Sequence, residues 1–215
     1  MFVIMEAIDP VISEYLDKTC DAESPLLQRI NRETHLRETM PHMLSGHYQG
    51  RVLSLLSKLK QPKKILEIGT FTGYATLCLA EGLSKDGILH TIDINEELFD
   101  RVNGYFQDSP YFHQIKYHIG PALDIIPTLP KDFDLVFIDA DKANNLNYFE
   151  MCLEHTEPGA FILIDNVLWK GKVFKEATDK QTLQIVEFNE KIAQDDRVEK
   201  LILPIRDGLF VCRKK

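Results

Sequence analysis

Cysteine is scarce in this chain, and the four residues present (Cys20, Cys78, Cys152, Cys212) are scattered with no CxxC pair. That pattern speaks against a disulfide framework and for reduced thiols used as small apolar side chains in a cytoplasmic protein. A signal-type start is also missing: Met1–Met5 is apolar, but Glu6 and Asp9 follow at once with no basic segment before them. No apolar run reaches transmembrane length. Positive charge is in deficit, 25 Lys and Arg against 33 Asp and Glu, a net charge of −8 with a pI of about 5.4. An acidic chain is a poor partner for duplex nucleic acid or an anionic membrane, since both are held by Lys and Arg. Repeats, low-complexity tracts and domain-type linkers are absent as well, so the 215 residues are expected to form one domain.

What is present is a set of apolar strands that end in charge. Phe133–Ile138 runs into Asp139, Asp141 and Lys142 within four positions. Lys64–Leu66 runs into Glu67, Ile88–Ile92 into Asp93, and Phe161–Ile164 into Asp165. Apolar runs bounded by polar residues fit strands of a parallel sheet buried on both faces. The carboxyl ends of such strands share one edge, where ligands bind. Four carboxylates gathered at that edge call for a guest that is cationic or rich in hydroxyls.

Strand and helix patterns alternate from Lys64 onward. The expected strands are 64–68, 88–93, 115–119, 133–138 and 160–165, with helices over 73–84, 95–107, about 121–127 and 144–155. This is the order of right-handed βαβ units. A helix near 181–194 then leads to Val198–Ile205 and Leu209–Cys212 around Asp207-Gly208, a hairpin signal that makes the sheet mixed at one edge. Residues 1–60 read as a helical cap region and 64–215 as the core. In the cap, Pro10 and Pro25 suit first helical turns, and Pro41 breaks the pattern before Met43. Val52, Leu55, Leu56 and Leu59 recur at helical spacing, which predicts a buried apolar face.

The first strand turns through Glu67, Gly69 and Gly73 into a helix, an ExGxxxG pattern in place of the dinucleotide fingerprint GxGxxG. Glycines there let backbone N–H groups approach a ligand, and Asp93 closing strand two suits the paired hydroxyls of a ribose. The bland readings are a bare strand–helix turn and an N-cap for a helix starting at Asn95.

From Leu44 to the C-terminus the chain resembles the cation-dependent O-methyltransferases, the group of catechol and caffeoyl-CoA O-methyltransferases, and most closely the caffeoyl-CoA type and its bacterial relatives. The resemblance rests on Leu66–Tyr74, Thr91–Asn95, Gly120–Ala122, Phe137–Lys142 with Asn147 and Tyr148, Asp165–Trp169 with Gly171, and Leu203–Gly208. It implies a Rossmann-like three-layer α/β methyltransferase fold with a mostly parallel seven-stranded sheet and an antiparallel strand near one edge. It further implies that Ser45, Glu67, Gly69, Thr70, Gly73, Asp93, Ile94, Ala122, Asp139, Asp141 and Tyr148 line an S-adenosylmethionine site. Asp139, Asp165 and Asn166 would hold a divalent cation, and Lys142, with Asp139, would carry catalysis as general base beside the acceptor hydroxyl. A homodimer and a small aromatic hydroxyl acceptor are implied in the same way. Two positions depart from the family pattern: Ala75 stands where a serine usually holds the methionine carboxylate, a task left to Thr76 or backbone amides, and Lys170 replaces a frequent asparagine.

Two carboxylates and an amide carbonyl are hard oxygen ligands, which suit Mg²⁺ first, then Mn²⁺ or Ca²⁺, and disfavour Zn²⁺. Such a cation beside a catechol lowers the hydroxyl pKa from about 10 toward neutrality. Fixing that oxygen in line with a methyl donor is worth ~7–11 kcal/mol. Plainer roles compete: Asp139 and Asp141 as capping acids, Lys142 as a solvated charge, Asp165-Asn166 as an Asx-turn, and Trp169 as a core aromatic instead of a stacking platform. His42 and His47 read as surface residues without a carboxylate spaced for a dyad, and Lys172, Lys175 and Lys180 as a solvated rim. Alternative functions are a nicotinamide-dependent oxidoreductase and a catalytically silent cofactor-binding protein.

Overall fold

The computed structural model describes residues 10–176 and 179–215. The stretch Met1–Met5 and the helix start expected at Ile8 lie outside them. Among the described residues seven strands form one sheet: β1 Lys64–Ile68, β2 Ile88–Asp93, β3 Ile115–Ile119, β4 Phe133–Ile138, β5 Thr156–Asp165, β6 Val198–Leu203 and β7 Leu209–Lys214. Their order is β3-β2-β1-β4-β5-β7-β6, parallel throughout except for β7, which runs antiparallel to both β5 and β6. The sheet changes direction of growth between β1 and β4, so a crevice opens beyond their carboxyl ends.

Alternate residues of each strand face opposite sides, and each side has its own apolar cluster. On one face Ile65, Leu89, Leu135 and Phe137 pack with residues of α2 (Pro25–Arg37), α3 (Gly46–Lys60), α4 (Tyr74–Ala80) and α5 (Phe99–Gln107). On the other, Leu66, Ile68, Val136 and Ile138 meet Ala122 of α6 (Ala122–Ile125), Phe149 of α7 (Asn145–Glu154) and Phe188 of α8 (Lys180–Gln194). Phe149 and Phe188 meet edge to face at 6.3 Å. Burying each such ring contributes about 1.5–3 kcal/mol. Helix α1 (Pro10–Thr19) precedes these. The Ser24 side chain caps α2 by accepting from Leu27 N, with Pro25 at the first helical position. Among the described residues no helix is long and apolar enough to cross a membrane, and all four cysteines are free.

Several expectations shift. The buried face of α3 is Gln49, Gly50, Leu53, Ser54 and Ser57, whereas Leu55 and Leu59 are 59% and 74% exposed. The reason is close helix packing: a Cβ on Gly50 would meet the Tyr74 ring at 2.7 Å, and one on Gly82 would meet Lys58 N at 2.2 Å. Small residues bring α3 and α4 together, and the polar ones find partners, Ser54 with Glu81 at 2.7 Å and Ser57 with the Leu79 carbonyl at 2.6 Å. The same contact ends α4 at Ala80, short of the expected 84. The helix expected over 95–107 is a single 3-10 turn, Glu96–Leu98, followed by α5. The one near 121–127 divides in the same manner at Ile126–Thr128, where Pro127 lacks a donor. Strand β5 begins at Thr156, earlier than 160. The hairpin forms, but its turn spans residues 204–208, with Arg206 and Gly208 both at positive φ.

Candidate active site

Strand β1 delivers Glu67 into the interior. Its carboxyl group is fully buried, and Oε2 accepts from the Thr91 hydroxyl at 2.6 Å and from that of Thr76. Oε1 has no partner. Burial pushes the Glu67 carboxyl up to about 8 against the pull of the two hydroxyls. Thr70 extends this chain by meeting Thr91 Oγ1 at 2.5 Å. Because Thr76 is committed to Glu67, the expectation that its hydroxyl replaces the missing serine at Ala75 is corrected.

Gly69 sits at φ +102°, and a Cβ there would lie 2.1 Å from the Asp139 carbonyl. The first loop therefore packs backbone to backbone against the end of β4, where no other residue fits. Gly73, at φ +78°, opens α4 against the Phe106 ring. Asp93 accepts from Phe71 N at 2.6 Å through one oxygen and from Asn95 N at 2.9 Å through the other. Asn95, not Asp93, caps the following turn by accepting from Glu97 N. Ile94 is 73% exposed beside this edge, and Ala122 is buried at the start of α6.

Asp139 and Asp165 leave neighbouring strands one residue past the paired Ile138 and Ile164. Lys142, itself half-buried, donates to Asp139 Oδ1 at 3.1 Å and lies 3.4 Å from the Asp165 carbonyl. Burial raises the Asp165 carboxyl to about 6, and the Asp139 charge adds to the rise while Lys142, Gln49 and Arg206 oppose it. Asn166 holds φ +63°, a left-handed conformation that asparagine tolerates, and its N–H donates to Asp165 Oδ1 at 2.8 Å. This contact goes to the next residue, whereas the expected Asx-turn would accept from the N–H two residues on. Among the described residues no group of three or more His, Cys, Asp or Glu is set to hold a metal. Two carboxylates and the Asn166 amide oxygen are the donor set on hand, a hard one that fits Mg²⁺ or Mn²⁺.

The remaining expected residues take plainer places. Asp141 caps the turn before α7 through Asn144 N and accepts from the Tyr148 hydroxyl at 2.6 Å. Ser45 is buried at the start of α3, and its side chain makes no capping bond there. Trp169, Lys170 and Gly171 form a left-handed turn after β5, and the buried Trp169 indole N–H lacks a partner among the described residues. Lys172 pairs at 3.5 Å with Asp179, Lys175 is exposed, and Lys180 opens α8. His47 corrects the surface reading: its side chain is 16% exposed and meets Asp17 Oδ1 at 2.9 Å through Nδ1. Its Nε2 faces the Asp21 carbonyl at 2.7 Å. Burial opposes charge on this ring, but the Asp21 carbonyl and the Asp17 and Glu23 carboxylates outweigh it and raise the pKa. Sequence reasoning missed Gln49 and Arg206, which reach the site from α3 and from the β6–β7 turn. A glutamine on the wrong face of an apolar helix pattern was the available signal.

Residues 17–215 match the family model described as O-methyltransferase. Caffeoyl-CoA O-methyltransferase 2 of Zea mays is 33% identical, with 96% of this chain and 83% of that one covered. The chain belongs to the O-methyltransferase family. Among solved structures, the O-methyltransferase TomG of Streptomyces achromogenes, in complex with SAM, superposes with a TM-score of 0.87 at 30% identity, covering 95% of this chain and 96% of that one. The Bacillus cereus O-methyltransferase in complex with SAH gives 0.87 at 30% identity, covering 95% and 97%. This O-methyltransferase is therefore an S-adenosylmethionine-dependent enzyme of the caffeoyl-CoA type, and the oxidoreductase and silent-module alternatives fall. The unpartnered Glu67 Oε1 fits such a cofactor: a buried acceptor at the edge of β1 needs a donor or a cationic guest.

Proposed function

We propose that this enzyme methylates one of two vicinal hydroxyls on a small catechol-like aromatic, a phenylpropanoid among the candidates, and that it requires a divalent cation. The observation that carries the reading is the pair of acidic residues, Asp139 and Asp165, at matched ends of β4 and β5, with Lys142 Nζ at the Asp139 carboxylate and the Asp165 backbone carbonyl. In this proposal Asp139, Asp165 and Asn166 would hold the cation, their hard oxygens matching its ligand preference. When bound, the cation supplies electrostatic stabilisation of an ionised hydroxyl, and the cofactor supplies an activated methyl group.

The chain's own residues do the rest. The neutral amine of Lys142 takes the hydroxyl proton as general base and becomes the ammonium. Asp93 accepts the cofactor's ribose hydroxyls with the lone pairs that Phe71 N and Asn95 N leave free. Gly69, Thr70 and Gly73 set the loop that the cofactor rests on, with Ser45, Ile94, Ala122, Asp141 and Tyr148 around it. Trp169, on its left-handed turn after the metal pair, closes the acceptor side. Methyl transfer to caffeate, run with EDTA and again after Mg²⁺ is restored, tests the reading. Loss and recovery of turnover are expected; turnover indifferent to chelation refutes it. A homodimer is proposed too, supported by the apolar Leu55 and Leu59 left in solvent on α3. Light scattering at monomer mass would remove that part.

A further inference from the structure

We propose that Gln49 and Arg206 are a positioning pair that orients the Asp165 carboxylate for the divalent cation, an inference that rests on the metal reading above. Gln49 is 1% exposed in α3, and its Nε2 donates to Asp165 Oδ2 at 2.8 Å. Arg206 Nη1 donates to Gln49 Oε1 at 3.2 Å. An amide has one donor end and one acceptor end, whereas a guanidinium only donates. With Arg206 at its oxygen, the Gln49 amide presents its N–H₂ to Asp165; the flipped amide would oppose donor to donor and acceptor to acceptor.

The other carboxylate oxygen, Oδ1, accepts from Asn166 N at 2.8 Å. Each oxygen of Asp165 is thus held by one N–H and keeps a lone pair for a ligand, so its rotation is fixed before anything binds. Among the described residues Asp139 has no such frame: its carboxylate meets Lys142, on a flexible stem. Arg206 is held in turn. It donates to the carbonyls of Leu44 at 2.8 Å, of His42 at 3.1 Å and of Ser45. Its positive φ of 47° turns the guanidinium under the start of α3. One arginine in the β6–β7 turn therefore fixes both the amide that aims Asp165 and the segment that carries Ser45.

The test is a Mn²⁺ titration of the full chain, followed by electron paramagnetic resonance at saturating S-adenosylhomocysteine, with the affinity for S-adenosylhomocysteine measured separately. Gln49→Met keeps the length and packing and removes the amide. It should weaken Mn²⁺ binding by about tenfold or more, as loss of a ligand's supporting hydrogen bond does, with S-adenosylhomocysteine affinity within about twofold of wild type. Arg206→Lys should weaken both, because it frees the amide and the Ser45 carbonyl together. A folded Gln49→Met protein that binds Mn²⁺ as tightly as wild type overturns the inference. Should Gln49→Met not fold, the Mn²⁺ affinity of Arg206→Lys decides on the same terms. Wild-type protein that binds no Mn²⁺, or binding indifferent to Asp165→Asn, overturns the metal reading and this inference with it.

Discussion

The backbone N–H of Phe71 donates to Asp93 Oδ2 at 2.6 Å, joining the glycine loop after β1 to the end of β2. One carboxylate thereby shapes the loop and stands at the place expected for the cofactor's ribose. Removing it acts on both. Asp93→Ala should weaken S-adenosylhomocysteine binding by roughly ten- to a hundredfold, the worth of hydrogen bonds to a charged group. Calorimetric titration reads this directly, and affinity within twofold of wild type would remove Asp93 from the site.

Gly69→Ala tests the backbone contact between the first loop and β4. The added Cβ would lie 2.1 Å from the Asp139 carbonyl, in a backbone conformation at φ +102° that alanine avoids. A loss of about 1–3 kcal/mol or more is expected, a fall in Tm of roughly 2–10 °C for a domain of this size. Turnover should fall with it, since Asp139 must move. An unchanged melting curve contradicts the close approach.

Lys142→Met removes the proposed base while sparing the loops that hold the cofactor. Turnover should drop by about 10²–10⁴-fold, with S-adenosylhomocysteine affinity retained. Near-wild-type turnover would assign the proton to another acceptor.

Acid should loosen the sheet at its β2–β3 edge. The rings of His90 and His118 stack 5.2 Å apart, and His90 Nδ1 lies 3.0 Å from His118 Nε2, so one nitrogen donates and the other accepts. Burial, then the neighbouring His118, Lys116 and Lys64, lower His90 to about 4. Burial also lowers His118. A folded pKa below the unfolded value near 6.5 means that the unfolded chain binds protons first. The stability is present in full above about pH 6.5 and is lost as pH falls toward 4. Melting curves between pH 7.5 and 4.5 should show a steeper decline for wild type than for His90→Phe, and parallel declines would contradict this.

Much of this molecule was legible in its residues. The apolar runs that end in Glu67, Asp93, Asp139 and Asp165 placed four strands and the functional edge, because burial on both faces of a parallel sheet demands such runs and the chain can turn only where they stop. The glycine loop was legible from Gly69 and Gly73, although not the reason for Gly69, which is the Asp139 carbonyl just past the end of the neighbouring β4. The inner face of α3 was only half legible: Val52 and Leu56 do pack against the core. Leu55 and Leu59 obeyed the helical period, yet close packing on Tyr74 and Cys78 put Gly50 and the serines inside.

The amino-acid sequence by itself determined the alternation of strand and helix, the acid-lined rim and the family, since these depend on local pattern and on short motifs. Only the tertiary structure decided which atoms meet across that rim. Gln49 lies 116 residues from Asp165 in the chain, and Arg206 lies 157 from Gln49. Their meeting depends on how α3 docks and how the β6–β7 turn folds under it, and no periodicity along the chain records a contact between segments so far apart.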